Sequence, residues 1–209
     1  MRGKRRRLVV GISGASGIVF GTSALLRLRK LGVETHLVVT RAGQLTRSVE
    51  VDLSAREVRE LADVSYSPSE VGAAIASGSF PTMGMLVAPC SVHTLSEIAY
   101  GATSNLLTRA ADVTLKERRR LVLMVRETPL SLVHLRAMTA VTEAGAVVAP
   151  PVPALYARPE STEEMVDYSV ARVLDLFDLD VPSRRWEGVP GASGTGELLA
   201  GDLVGSARL

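Results

Sequence analysis

Residues 8–17 read LVVGISGASG, and this stretch decides the fold. Five residues, 8–12, are apolar or glycine and β-branched in the main, which predicts a buried strand. Ser13, Gly14, Ala15, Ser16 and Gly17 then make a turn of small residues, and residues 18–31 carry a helical apolar period that Gly32 stops. A second β-branched run, ETHLVVT at 34–40, predicts the next strand. Strand, helix and strand at this spacing imply a right-handed crossover in a parallel sheet, a unit suited to binding a nucleotide at the turn.

The same alternation continues downstream. Residues 85–89 (MLVAP), 121–125 (LVLMV) and 146–149 predict three more strands, with helices from Leu95 onward, over 106–118, over 132–144 and from Ser161 to about Leu176. Ser54 with Glu57 and Ser67 with Glu70 each have the spacing of a capping box, the latter with Pro68 at the first helical position, so two further helix starts are expected. Together these elements predict an α/β fold with a doubly wound, mainly parallel sheet in three layers, Rossmann-like or flavodoxin-like. One domain over residues 8–186 is expected, preceded by a basic tail at 1–7 and followed by a flexible Gly/Ser/Ala-rich tail at 187–209.

Composition narrows the function. Of 209 residues, 46% are hydrophobic and 22% charged, as in a folded α/β protein, and a net charge of +2 offers no whole-protein attraction for nucleic acid. No apolar run reaches the ~18 residues of a membrane span, so neither a membrane nor a nucleic-acid partner is expected. The single cysteine, Cys90, has no internal disulfide partner, consistent with a reducing, cytoplasmic setting.

In such a sheet ligands bind beyond the carboxyl ends of the strands, where turns and helix N-termini present free amides to an anion. Four segments converge there: 13–17, Thr40 and its neighbours, 91–94, and 126–129. The first has no lysine after its glycines, unlike an ATP-binding loop, and lacks the GxGxxG spacing of a dinucleotide site. A glycine turn also serves helix-on-strand packing, so alone it leaves both readings open. A second hydroxyl-bearing turn, Ser91 to Thr94, favours a mononucleotide such as FMN.

Six strings in order carry a resemblance: GISGASG (11–17), GSFPTMGM (78–85), APCSVHTL (88–95), NLLTRAADVTLKERR (105–119), LVLMVRETPL (121–130) and PPVPALY (150–156). From about Leu8 to Trp186 the chain resembles the flavin prenyltransferases, the UbiX/Pad group once described as aromatic acid decarboxylases. That resemblance implies a reduced-FMN site at Gly14, Ala15, Ser16, Thr40, Ser91, Val92, His93, Thr94 and Arg126. Thr40 stands where serine is frequent and keeps the hydroxyl. His93 stands where lysine or arginine is frequent, which leaves the charge of that contact open.

The resemblance further implies a prenyl-phosphate pocket of Arg109, Lys116, Tyr156 and Arg172, partly supplied by neighbouring subunits of a homododecamer. Catalytic roles fall to Glu127 in proton transfer, Ser16 near flavin N5, and Glu50. The implied reaction joins a dimethylallyl group from dimethylallyl monophosphate to N5 and then C6 of reduced FMN, and delivers prenylated FMN to a UbiD-like decarboxylase. No aspartate-rich DDxxD motif is present, Asp175, Asp178 and Asp180 read as an amphipathic helix end, and no metal is expected. Two other readings compete: a flavin-dependent cysteine decarboxylase, whose early catalytic histidine would have to be His36 inside a predicted strand, and a flavin carrier without turnover. A second phosphate pocket argues against the carrier.

Overall fold

The computed structural model describes residues 6–186 and 188. Six strands, β1 (Arg7–Ile12), β2 (Glu34–Val39), β3 (Val64–Tyr66), β4 (Gly84–Cys90), β5 (Arg120–Val125) and β6 (Val147–Val148), form one sheet in the order β3-β2-β1-β4-β5-β6. Every neighbouring pair runs parallel. Strand order reverses between β1 and β4, and at that switch point the turns after both strands splay apart to leave a crevice.

Among the described residues there are seven α-helices, α1 (Ile18–Lys30), α2 (Arg41–Glu50), α3 (Ala55–Glu60), α4 (Val92–Ala99), α5 (Leu106–Lys116), α6 (Leu132–Glu143) and α7 (Thr162–Asp175), and all but α2 cover the faces of the sheet. Alternation along the strands divides the core. Leu8, Val10, Ile12, Leu37, Leu86 and Met124 point to the face covered by α1, α3 and α7. Val9, Val38, Met85, Val87, Leu121 and Leu123 point to the face covered by α4, α5 and α6. Both faces of the inner strands are buried, which is why those strands read as unbroken apolar runs.

Three differences from the sequence reading have physical causes. Ser67 does not open a helix: its amide takes the Glu70 carboxylate at 2.6 Å, but Gly72 follows and the Pro68 carbonyl accepts the Leu106 amide at 2.8 Å. The box therefore closes a turn that ties this loop to α5, and only a 3-10 turn at Ala74–Ala76 follows. Helix α4 begins at Val92 rather than Leu95, because Ser91 accepts the Thr94 amide and starts the helix directly after β4. Arg7, expected in a solvated tail, is the first residue of β1, bonded to Glu34 at 3.1 Å and stacked over Phe80. Arg6 likewise donates to the Leu31 carbonyl. The tail readings for 1–5 and for 187 and 189–209 lie outside the described residues.

Candidate functional site

Two turns meet at the switch point, and a buried serine fastens them. Ser13 Oγ donates to the Pro89 carbonyl at 3.1 Å and accepts the Ser91 amide at 2.8 Å, while the Ser13 amide also bonds Pro89 O. Ser13 is thus spent on structure, and the residues after it are left to face the ligand. Gly14 has to be glycine, since a Cβ there would collide with Ala42 of α2. Gly17 adopts φ 105°, a left-handed geometry that favours glycine.

Between the turns lies a cleft of about 570 Å³, lined by Gly14, Ala15, Ser16, Thr40, Ser91, Val92, His93, Thr94, Arg126 and Glu127. Such a volume is in the range of small-molecule sites, ~300–1,000 Å³. Every residue that the sequence assigned to flavin contact is therefore at one place. Arg41, Ala42, Pro68, Glu97 and Asn105 line it too and were not foreseen. A sequence signal existed for three of them. Thr40 caps α2 by accepting the Gly43 amide, which puts Arg41 and Ala42 on the rim, and Asn105 caps α5 by accepting the Leu107 and Thr108 amides.

The positive ends of the helices are not equivalent. At α1 the Gly17 and Ile18 amides donate to Glu50 Oε2 at 2.8 and 3.0 Å, so the chain supplies its own anion there. Burial pushes the Glu50 carboxyl up, but the Ser16 hydroxyl, the two amides and the Arg126 charge outweigh it and hold it below the ordinary carboxylate range. At α4 the Val92 and His93 amides have no intrahelical acceptor, as for the first turn of any helix. They open on the cleft that Arg126 also lines. Glu127 Oε1 accepts the Thr128 amide at 3.0 Å.

The four residues assigned to the prenyl phosphate are elsewhere in the single chain. None lines the cleft. Arg109 pairs with Asp112 at 2.7 Å on a half-buried part of α5, and Lys116 with Glu117 at 2.6 Å at its exposed end. Tyr156 contacts the Tyr168 hydroxyl and packs edge-on to Trp186, with Arg172 close enough to act on Tyr168 electrostatically. Asp175, which sequence reading placed on a helix end, pairs with Arg185 there. Among the described residues no three His, Cys, Asp or Glu side chains are grouped to hold a metal, and no helix is long and apolar enough to cross a membrane.

His36, the histidine on which a cysteine decarboxylase would depend, is buried in β2 with Nδ1 on the Tyr66 hydroxyl and Nε2 on Glu34. Burial lowers its proton affinity against the opposing pull of Glu34. It lines no part of the cleft.

Residues 1–174 match the profile of the flavoprotein family. A flavin prenyltransferase UbiX of Neisseria meningitidis serogroup B (strain ATCC BAA-335 / MC58) is 56% identical over 185 residues, covering 88% of this chain and 98% of that protein. The chain belongs to the UbiX/Pad group of flavoproteins. Within that family, the crystal structure of AnUbiX (PadA1) in complex with FMN and dimethylallyl pyrophosphate is similar with a TM-score of 0.88 and 50% identity, covering 89% of this chain and all of the other. A dodecameric FMN-dependent UbiX-like decarboxylase from Escherichia coli O157:H7 is similar with a TM-score of 0.85 and 47% identity, over 88% of this chain and all of that one.

Membership of this family makes the chain a flavoprotein whose cofactor is FMN and an enzyme of the flavin prenyltransferase class. The cleft fits that cofactor by its donors: free first-turn amides and the Arg126 guanidinium answer a phosphate and ring carbonyls. Gly14, Ala15 and Ala42 form a wall of small side chains beside which a flat ring system can lie.

Proposed function

We propose that this chain transfers a dimethylallyl group from dimethylallyl monophosphate to reduced FMN, and that the prenylated FMN passes to a UbiD-like decarboxylase. The observation that carries this reading is the cleft at the β1/β4 switch point, where Arg126 and Glu127 stand beside every residue assigned to the flavin. Reduced FMN supplies the nucleophilic ring that accepts the prenyl carbon.

What the protein's own residues contribute is binding, charge and proton handling. Gly14, Ala15, Thr40 and the α4 turn from Ser91 to Thr94 hold and orient the flavin. Ser16, bonded to an ionised Glu50, stands next to the reacting edge, and Glu127 moves a proton there with Arg126 fixing its position. Arg109, Lys116, Tyr156 and Arg172 neutralise the departing phosphate, which leaves with nearly two negative charges and needs several placed donors. These four are gathered when subunits of a dodecamer meet; within one chain Arg109 and Lys116 lie on α5, Tyr156 in the 3-10 turn Leu155–Ala157 and Arg172 on α7. Exposed Leu132, Val133, Val152 and Leu155 supply apolar area for such contacts. The cytoplasm suits the one cysteine, Cys90, which is buried and whose thiol burial pushes far up.

The deciding experiment incubates the protein anaerobically with reduced FMN and either dimethylallyl monophosphate or the diphosphate, without magnesium, and weighs the released flavin. A flavin heavier by one C5 unit from the monophosphate is the expected result. Unchanged FMN from both donors, with FMN still bound, would overturn the transferase reading in favour of the carrier.

A further inference from the structure

Among the described residues one buried side-chain oxygen lacks a hydrogen-bond partner, Glu97 Oε2, and Glu97 lines the flavin cleft. Its other oxygen accepts the Ser104 hydroxyl. One helical turn earlier on α4, His93 projects into the cleft with its side chain 80% exposed, while that of Glu97 is only 15% exposed. His93 Nδ1 lies 3.8 Å from Glu97 Oε2, just beyond bonding distance. A carboxylate oxygen shielded from water with no donor is costly, and a small rotation of the imidazole supplies the donor.

The opposing effect is the helix itself. His93 is the second residue of α4, and a cation at a helix N-terminus is disfavoured by the macrodipole. An anion at the same turn reverses that balance. Because Glu50 already occupies the α1 amides, a phosphate in the cleft falls to the first-turn amides of α4 and to those of α2 across from them.

We propose that Glu97 is a positioning residue that orients His93 as a proton-carrying contact for the phosphate of FMN, so that flavin binding is coupled to proton uptake. Imidazolium Nδ1–H then donates to Glu97 and Nε2–H donates to the phosphate. The pair supplies, from a histidine and a carboxylate, a cation that a lysine would carry permanently. This inference rests on the reading of the cleft as the FMN site.

Other charged groups surround His93, with Arg120 at the start of β5, which packs against α4, among them. Arg41, Arg126 and Glu127 share the cleft. The elements packed against α4 carry His134, Arg136 and Glu143 on α6 and Arg109, Asp112 and Lys116 on α5, and among these Arg109 pairs with Asp112 and His134 Nδ1 accepts the Ser131 amide. Glu97 and His93 are the two that face each other.

The sign follows from linkage: a histidine that gains anionic partners in the complex strengthens binding at low pH, and the gain is lost as pH rises. The test is the dissociation constant of FMN, read by flavin fluorescence between pH about 5.5 and 8.5, for wild type, His93→Lys and Glu97→Gln. The phosphate's own ionisation is common to all three and cancels in the comparison. Wild-type affinity is expected to weaken about tenfold more than that of His93→Lys across the range, the linkage effect of a tenfold gain in proton affinity on binding. Glu97→Gln, which keeps an acceptor for Ser104, is expected to move the wild-type midpoint to lower pH.

Parallel profiles for wild type and His93→Lys overturn the proposal, and so does a Glu97→Gln loss that is equal at every pH, the mark of a merely structural role. Riboflavin, which lacks the phosphate, is expected to show no His93-dependent profile; the same profile would place His93 on the ring and overturn the phosphate contact. Wild type that binds no FMN at any pH would sink the flavin reading itself, a result distinct from FMN bound without proton linkage.

Discussion

The proposed flavin cleft and the residues proposed to hold the prenyl phosphate are built on different plans. Around the cleft, the ends of β1, β2 and β4 and helix α2 are locked to one another within a single chain: Ser13 bridges two turns, Thr40 caps α2 and bonds Ile12 through its amide, and Glu50 ties α2 to the start of α1. Arg109, Lys116, Tyr156 and Arg172 by contrast spend their interactions on near neighbours of their own surface. A flat, rigid cofactor gains from a site formed before it arrives, whereas a small charged donor can be met by long, flexible cations carried to it by other subunits.

Three substitutions probe this contrast. Glu127→Gln keeps the size of the side chain but removes its basicity, so prenyl transfer is expected to fall about 10²–10⁴-fold in the anaerobic assay, while FMN affinity stays within about twofold. Equal loss of flavin binding would erase the division between the two regions. Arg109→Ala is expected to lower prenyl transfer by about 10²-fold, seen as a higher KM for the prenyl phosphate or a lower kcat, again with FMN bound normally. If Arg109→Ala instead released FMN, the residue would belong to the preformed half. Ser13→Ala leaves the Pro89 carbonyl with the Ser13 amide but strands the Ser91 amide, and is expected to cost about 1–3 kcal/mol of stability, read by urea unfolding, with a weaker flavin site as the turns drift apart.

Most of the preformed half was legible in the sequence because its physics is local. GISGASG and PCSVHT each follow a buried strand, and a strand followed by a small-residue turn and a capping serine identifies the ligand edge wherever it occurs. Helix α2 left no such trace. Of its residues only Gly43 is buried, and Leu45 and Val49 point outward, so no apolar stripe marks it. Strand β3 is three residues on the sheet edge, too short to show alternation. Glu97 was invisible for another reason: its importance lies in an unmet hydrogen bond, which depends on what surrounds it rather than on residue type. The Ser67 box misled because a capping pair closes a turn as readily as it opens a helix when no periodic segment follows.

Glu50 decides which molecules the glycine turn will tolerate. Nucleoside triphosphates are abundant in any cell, and a strand followed by a glycine turn and a bare helix end is the common handle for them. Here the handle is already grasped from within, by a carboxylate 33 residues further along the chain, at the end of the next helix. A polyphosphate approaching that loop meets a carboxylate where an open glycine turn would offer free amides.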